Sequence, residues 1–412
     1  MNTKDLFDYA ELAEASYVRF DLLKKDFSDE SVKTALTTKE ADGKEYKGEF
    51  SATQADDFVA KWQVVSHIPD TDSGFSATLF REKETGKYVY ALRGTAGKQD
   101  LSTDFGDLVI DGLAFFQIVD MYNDWKRLIT PDGQSYEAAR LSLQTAETAA
   151  LAAEYAVSPI AGYAYAEYLL TDGSLIIDRP SGKVYRIELG DSRDFFDTQD
   201  PLATGIGAIT QQNFELDVSG HSLGGHLAAA FTRLFPDTGA EAFSLNGAGY
   251  PTENLPGLSG NAQENIAHVF ATLKGASGFD AGRIHNLHGS AAPEFITMDS
   301  CNGLKQQGSH DEIFTESWDV SNTLGHGVNQ MVNALAIMNL FIRLDENLGK
   351  GTPALVSATS IRSHGIRFAS TANGRMPKIN HLLKTGTEKI IGTHHFFHYF
   401  SQISEGISVI PR

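Results

Sequence analysis

The stretch DVSGHSLGGH, residues 217–226, constrains the fold of this 412-residue chain more than any other segment. It places Ser222 between Gly220 and Gly224, after the segment FELDV and before the segment LAAAFTRLF. The first has the pattern of a buried strand and the second that of a helix. A serine flanked by glycines at such a junction predicts a sharp strand-to-helix turn, because larger neighbours would collide with strand and helix. That turn would present the Ser222 hydroxyl at the positive end of the helix.

Patterns elsewhere in the chain extend this prediction to a whole sheet. Strand patterns occur in NFELDVSG, EAFSLNGAG and RIHNLHG, and helix patterns occur in HLAAAFTRLF and VNQMVNALAIMNLFIRL. Such alternation predicts an α/β fold with a mostly parallel central sheet and helices on both faces. We also expect an N-terminal helix over the first thirty residues and an Ala-rich helix over about 135–155. Hairpins are expected around Thr85-Gly86 and around residues 180–182.

The chain shows neither an internal repeat nor a Pro/Ser-rich linker. We therefore predict one domain over residues 1–412, with insertions at about 105–200 and a C-terminal extension at about 346–412. The segment from 104 to 128 is densely apolar and includes Phe115 and Phe116. It is either a buried core helix or a lid that forms an acyl-chain wall over the site.

Composition excludes several classes of function. With 34 Lys and Arg against 53 Asp and Glu, the net charge is −19, which argues against nucleic acid and anionic membranes as partners. A single cysteine, Cys301, cannot form an internal disulfide or a zinc site of several thiolates. The sequence has no apolar run long enough for a transmembrane helix and no N-terminal signal pattern. We expect secretion by a route without an N-terminal signal peptide, with a cytoplasmic location as the alternative.

Three motifs together resemble a known family. GHSLGGHLAAA with the strand EAFSLNGAG resembles the lipases of the α/β-hydrolase fold, in particular class 3 lipases and related bacterial lipases and phospholipases A1. YALRGTAGKQDLSTDFGD is similar to their strand-plus-RGT segment, and YAELAEASY to their opening helix. The resemblance covers about residues 5–20, 86–125 and 213–345. It implies an α/β-hydrolase fold and a serine hydrolase that cleaves lipid or other esters at a lipid–water interface.

A catalytic serine needs a neighbouring base, usually histidine. The order nucleophile, acid, histidine of this fold places the base after Ser222. We assign it to His326, since GHGVNQMVNALAIMNLF resembles the histidine-plus-helix segment of the bacterial lipases and phospholipases A1. His310 is the alternative base, and a loop histidine capping the next helix is the structural alternative for His326. His226, one helical turn beyond the serine, is expected to be structural.

The third member of a catalytic triad is an acid, and this chain has no aspartate at the position where class 3 lipases carry theirs. Residues 290–292, which follow RIHNLHG, are Ser-Ala-Ala. We assign the acid to Glu294, with Asp299, Asp311 and Glu316 as alternatives. The missing aspartate is the feature that favours a different class of function, a non-catalytic lipid-binding protein on a hydrolase scaffold.

The oxyanion hole is expected to combine the backbone N–H of Leu223 with Thr95, which could donate from its N–H and its hydroxyl. The alternative is a simple strand-ending turn in which Arg93 pairs with a carboxylate. We expect no required cofactor. A calcium ion could bind the nearby carboxylates, although their spacing differs from that of an EF-hand and a solvated or helix-capping role is the alternative. These carboxylates are Asp100, Asp104, Asp107 and Asp111.

The function predicted from these residues is that of a lipase or carboxylesterase acting through a serine acyl-enzyme. The closest enzymatic alternative is a phospholipase A1 that acts as a secreted or injected effector toxin.

Overall fold

The computed structural model describes residues 3–94, 114–178, 181–211, 213–251, 262–289, 304–313, 315 and 327–344. The strands in these ranges are β1 Glu40–Ala41, β2 Lys44–Glu45, β3 Trp62–Ile68, β4 Ala77–Glu82, β5 Tyr88–Leu92, β6 Glu137–Leu143, β7 Leu175–Asp178, β8 Lys183–Asp191, β9 Leu216–His221, β10 Glu241–Leu245, β11 Tyr250–Pro251, β12 Ile284–Gly289, β13 Leu304–Lys305 and β14 Ser309–Ile313. The helices are α1 Thr3–Ala15, α2 Asp29–Thr37, α3 Ala52–Lys61, α4 Phe115–Ile129, α5 Thr145–Val157, α6 Pro159–Leu169, α7 Ser192–Phe195, α8 Leu223–Leu234, α9 Ala262–Thr272 and α10 Val328–Leu344.

The central sheet takes seven strands from the described residues, in the order β14-β12-β10-β9-β5-β4-β3. The strands from β14 to β5 are parallel, and β4 and β3 extend them as an antiparallel hairpin. The strand β9, which precedes Ser222, lies in the middle of this order. Parallel strands bring their carboxyl ends to one edge, so the residues after β5, β9, β10, β12 and β14 leave the sheet on the same side.

Side chains of β5 show why both faces of the sheet are covered. Tyr88, Tyr90 and Leu92 lie in the hydrophobic cluster that also contains buried residues of α4, α8 and α9. Val89 and Ala91 point to the opposite face and cluster with residues of α1, α2 and α3. A strand apolar at every position is typical of a parallel sheet buried on both sides, and the predicted α/β fold with helices on both faces is confirmed.

The N-terminal helix α1 ends at Ala15, so the helix predicted over the first thirty residues is right only in its first half. It packs against α10 through small residues. Ala10 and Ala13 are fully buried in a cluster with Met331 and Leu335. The same cluster contains Leu245 and other apolar residues at the carboxyl ends of strands. The last helix is therefore fixed beside the edge at which Ser222 leaves the sheet.

The apolar helix α4 is part of the core. Phe115, Ile118, Tyr122 and Trp125 are each at most 2% exposed, and Asn123 holds β6 through two 2.8 Å hydrogen bonds with the backbone of Ala139. Residues 115–129 thus match the buried-helix alternative rather than the lid. Residues 104–113 of the same apolar segment lie outside the described residues.

The Ala-rich helix expected over 135–155 is wrong in its first part. Residues 137–143 form β6, which pairs with β8 in a three-stranded antiparallel sheet of order β6-β8-β7. The helix, α5, begins only at Thr145. Local propensity favours a helix here, but pairing with a strand more than forty residues away overrides it. The two expected hairpins, β4–β5 and β7–β8, are confirmed.

Candidate active site

The predicted turn at Ser222 is present, and its backbone is strained. β9 ends at His221 and α8 begins at Leu223, so the turn consists of Ser222 alone. Its dihedral angles are φ 59° and ψ −124°, a conformation that side-chain-bearing residues rarely adopt. Such strain persists only where the surroundings hold it in place, and it is concentrated at functional sites.

Glycines allow the strand and helix to approach this closely. A Cβ on Gly220 would lie 2.1 Å from the carbonyl oxygen of Gly224, and a Cβ on Gly224 would lie 2.1 Å from that of Leu92. A Cβ on Gly225 would lie 2.5 Å from Oγ of Ser244. Each of these distances is shorter than any real side chain allows. The sequence pattern around Ser222 is therefore a packing requirement as well as a motif.

Backbone hydrogen bonds to β10 and the loop after it fix the turn. The N–H of Ser222 donates to the carbonyl of Leu245 at 3.0 Å, and the N–H of Ala248 donates to the carbonyl of Ser222 at 3.2 Å. The N–H of Leu223 is the first of α8 and has no carbonyl four residues earlier within the helix. It lies at the positive end of the helix dipole, beside a serine that is only 3% exposed. Here an N–H group can stabilise a developing oxyanion.

A mostly parallel sheet with a strained serine between its middle strand and the following helix decides the architecture. The fold is that of an α/β-hydrolase.

Comparisons with known proteins give low similarity. The chain matches no family model, and no curated protein matches it in sequence. Among solved structures, lipase II from Rhizopus niveus aligns at 12% identity and a TM-score of 0.33, covering 80% of this chain and 92% of that lipase. A triacylglycerol lipase from Penicillium expansum aligns at 12% identity and 0.30, covering 81% and 98%. Lip2 lipase from Yarrowia lipolytica aligns at 11% and 0.30, covering 76% and 78%.

Tyr17 and Gly94 pack directly on the serine turn of this hydrolase fold. The Tyr17 hydroxyl lies 2.8 Å from Nδ1 of His221, and burial raises the pKa of Tyr17. A Cβ on Gly94 would lie 2.6 Å from that hydroxyl and 3.2 Å from Cβ of Ser222. The strand-plus-RGT segment therefore reaches the serine as far as Gly94. Thr95, the predicted second oxyanion donor, lies outside the described residues.

Arg93 forms the ion pair that the structural alternative for this segment requires. Its guanidinium pairs with Asp70 and donates to the carbonyl of Gly74 at 3.3 Å. Arg93 is 4% exposed, and burial lowers its pKa. The ion pair anchors the end of β5 next to the turn. Arg93 therefore has a structural role that does not depend on the role of Thr95.

His226 is a core residue, as expected. It is fully buried, stacks on Tyr250 at 4.0 Å between ring centroids, and its Nδ1 lies 3.2 Å from the carbonyl oxygen of Gly249. Burial lowers its pKa to about 3, so the ring is neutral at physiological pH. Burial therefore disfavours the imidazolium that a general base has to form.

The alternatives on β14 are not brought to the serine. His310 is level with Gly220 in the register, and Asp311 is level with His221, but both are three strands away. Strands lie about 4.8 Å apart, which puts these backbones about 14 Å from β9. Both side chains are exposed on the edge strand. The other assigned or alternative residues, His326, Glu294, Asp299 and Glu316, lie outside the described residues.

An apolar wall adjoins the turn. Leu223, Ala248 and Leu304 form a small buried cluster, and Ala114, just before α4, packs against it.

The predicted calcium carboxylates, residues 100–111, lie outside the described residues. In the described part of the chain, no three His, Cys, Asp or Glu side chains gather as a metal site would require. No described helix is long and apolar enough to cross a membrane.

Two features at this edge were not anticipated from the sequence. Tyr17 and its partner His221 are 204 residues apart, so no local pattern links them. Asn246 is fully buried with a φ of 44°, and its Oδ1 accepts the N–H of Gly289 at 2.9 Å. This bond ties the ends of β10 and β12 together. An asparagine directly after a buried strand was the one available signal, because asparagine tolerates this backbone conformation.

Proposed function

We propose that this protein is a serine hydrolase that cleaves fatty-acyl esters, as a lipase or carboxylesterase. The observation that carries the proposal is the strained backbone of Ser222 between the middle parallel strand and α8. A structural serine gains nothing from that conformation, whereas a nucleophile is held by it at the start of a helix. The apolar wall of Leu223, Ala248 and Leu304 favours an acyl chain over a polar group beside the serine.

In the proposed reaction, the Ser222 hydroxyl attacks the ester carbonyl while a histidine takes its proton. The N–H groups of Leu223 and Thr95 stabilise the oxyanion, and the same histidine protonates the departing alcohol. Water then attacks the acyl-enzyme, releasing the fatty acid and restoring the serine. We assign the histidine to His326 and its orienting carboxylate to Glu294.

The path of the chain supports His326. The strand β14 ends at Ile313 and α10 begins at Val328; both residues belong to one cluster with Leu245 and Leu287. Leu245 and Leu287 are level with His221 in the register of the sheet. The segment that includes His326 is therefore anchored at both ends beside the edge that carries Ser222. Glu294 follows β12, two strands from β9 in the sheet order.

The test is replacement of Ser222 by Ala with Ser219→Ala as the matched control. Ser219 lies on the same strand and is fully buried, but its hydroxyl donates to the carbonyl of Tyr9 at 2.8 Å. With p-nitrophenyl butyrate and octanoate as substrates, we expect S222A to lower kcat/KM by at least about 10⁴-fold, while S219A keeps most of the activity. A fluorophosphonate probe should label the wild-type protein at Ser222.

Equal hydrolysis by wild type and S222A would refute the proposal. A protein that neither hydrolyses esters nor reacts with the probe would instead be a lipid-binding protein on a hydrolase scaffold. If esters are hydrolysed, release of the fatty acid from phosphatidylcholine and from triacylglycerol separates phospholipase A1 from lipase activity.

A further inference from the structure

The helices α5 and α6 form a hairpin of unusual composition. Residues 145–169 contain neither lysine nor arginine, and their charges are Glu147, Glu154 and Glu167. Most of the remaining residues are alanine, tyrosine and aliphatic side chains. A helix that is apolar all round is normally buried in protein or in lipid.

Only the inner face of this hairpin is buried. Leu151 and Ala166 pack with residues of β7 and β8, and the ring of Tyr155 lies against Gly162, where a Cβ would approach it to 2.2 Å. The single residue between the helices, Ser158, caps α6 by accepting the N–H of Ala161 at 3.0 Å. The two helices are thus firmly joined.

The outer face and the tip of the hairpin are exposed. We define the tip as residues 157–160. Val157 is 77% exposed and Ile160 is 81% exposed, the two highest values among the large apolar side chains of the described residues. Tyr155 and Tyr168 are 38% and 66% exposed. Single exposed apolar residues are common, but an aliphatic pair at a turn backed by tyrosines is a patch.

Contacts connect this hairpin to the serine edge. Ala114 packs against the cluster that contains Leu223, and the next residues begin α4. The ring of Phe116 lies 5.1 Å from that of Tyr185 on β8. Tyr185 is level with Leu143, two residues before α5 begins. Phe116 and Leu143 are themselves 36% and 44% exposed, so exposed apolar side chains lead from the serine edge to the hairpin.

We propose that the tip of the α5–α6 hairpin inserts into the surface of zwitterionic or uncharged lipid and so docks the serine edge on its substrate. This inference rests on the proposed ester hydrolysis, because docking on lipid has a purpose only if Ser222 cleaves lipid esters. Aliphatic side chains at the tip would enter the acyl region, and the tyrosines behind them suit the boundary between apolar and polar layers.

Charge and shape favour lipid over a second protein. Three carboxylates without a basic residue, on a chain of net charge −19, disfavour an anionic membrane and leave neutral headgroups as the matching surface. The two most exposed large apolar side chains of the described residues, Val157 and Ile160, lie at one turn. A stable protein interface instead buries about 800 Å² on each partner around a central hydrophobic core.

The experiment uses the full chain carrying Ser222→Ala, so that lipid is not consumed. Sedimentation with phosphatidylcholine vesicles measures the partition coefficient of this protein and of its Val157→Ser/Ile160→Ser variant. We expect the double substitution to reduce binding by roughly tenfold or more, since two aliphatic side chains lose their apolar transfer. The control is Ile129→Ser. Ile129 is the last residue of α4, and its aliphatic side chain is exposed as well, at 37%.

Equal vesicle binding with and without the tip substitutions would overturn the proposal, as would stronger binding when phosphatidylglycerol is added. Light scattering without lipid supplies a further check: a wild-type dimer that becomes monomeric in the double variant would make the tip a protein interface and overturn it as well. With Ser222 intact, the double variant should lose turnover of emulsified ester but keep its kcat/KM on soluble p-nitrophenyl butyrate. If no ester is hydrolysed at all, the proposed function fails while the vesicle result still decides the docking surface.

Discussion

The two ends of β9 differ in how their polar groups are satisfied. At the amino end, Asp217 accepts hydrogen bonds from Tyr9 and Lys87, and Lys87 also lies 3.3 Å from the Tyr9 hydroxyl. A cavity of about 500 Å³ opens there, and His285 and Glu241 in its wall pair with each other at 3.0 Å. The cavity is rich in charge, but these charged side chains have partners within it: Asp217 with Tyr9 and Lys87, and His285 with Glu241.

At the carboxyl end, the backbone is strained. Ser222 has a positive φ, glycines allow contacts that no side chain could make, and the N–H of Leu223 is the first of α8, where the helix itself supplies no acceptor. A cluster of charges that pair with one another therefore indicates a structural role. A strained backbone at the start of a helix is the better indication of chemistry.

The largest effect is expected from adding one methyl group at the carboxyl end. Gly224→Ala would place a Cβ 2.1 Å from the carbonyl oxygen of Leu92. Because both are backbone atoms of packed elements, we expect a loss of about 3 kcal/mol or more in the free energy of unfolding, and loss of ester hydrolysis. Denaturant unfolding measures the first and a p-nitrophenyl ester assay the second.

Gly278→Ala is the control for this substitution. A Cβ at Gly278 meets nothing within 4 Å, and its φ lies outside the left-handed region. We expect a change within about 0.5 kcal/mol. Similar losses in the two variants would show that the turn at Ser222 is not tightly packed. The carboxyl end of β9 would then not differ from the amino end in this respect.

The serine turn could be predicted from sequence because its requirements are local. The strand, the two glycines and the helix are contiguous, and each is needed by the geometry of Ser222 itself. The parts of the turn supplied from elsewhere could not be predicted in the same way. Gly94 and Tyr17 come from segments more than a hundred residues away. Only the family resemblance links the RGT segment to the serine, and no local pattern in the sequence pairs Tyr17 with His221.

The same distinction explains the error at β6. Residues 137–143 have a helical composition, and only their register with β8 makes them a strand. The distance of the alternative acid Asp311 from Ser222 likewise depends on how many strands separate them. Strand order is a property of the folded sheet, and chain order alone does not give it.

A buried carboxyl on α1 gives a pH-dependent prediction of intermediate size. Burial raises the pKa of Glu14 from 4.5 to about 7, with the Gln54 side chain opposing and Glu49 adding to the shift. Below pH 4.5, the carboxyl is neutral in both folded and unfolded chains. Between pH 4.5 and 7, only the unfolded chain loses the proton, so stability falls as pH rises and stays lower above 7.

Glu14→Gln removes this titration while keeping an acceptor for Gln54. We expect the variant to gain about 1–3 kcal/mol at pH 8 and close to nothing at pH 4, since one pKa unit corresponds to about 1.4 kcal/mol. Thermal unfolding across this pH range measures it. The buried neighbour Glu11 titrates in both proteins; its pKa is raised by burial and by the charge of Glu14, so part of the gain at high pH comes from a smaller shift of Glu11 in the variant. An equal gain at both pH values would contradict the assignment of the shift to Glu14.

The smallest effect comes from two tyrosines that contact opposite ends of β9. Tyr9→Phe removes the hydroxyl that donates to Asp217, and Tyr17→Phe removes the one bonded to His221 at 2.8 Å. Each should cost about 1 kcal/mol of stability, the usual net value of a buried hydrogen bond. Only Tyr17 adjoins the strained serine, so only Y17F should also lower kcat, by about threefold to tenfold, with little change in KM. Equal kcat values in the two variants would mean that the carboxyl end of β9 tolerates loss of its support as well as the amino end does. The satisfied and the strained ends would then differ in appearance and not in function.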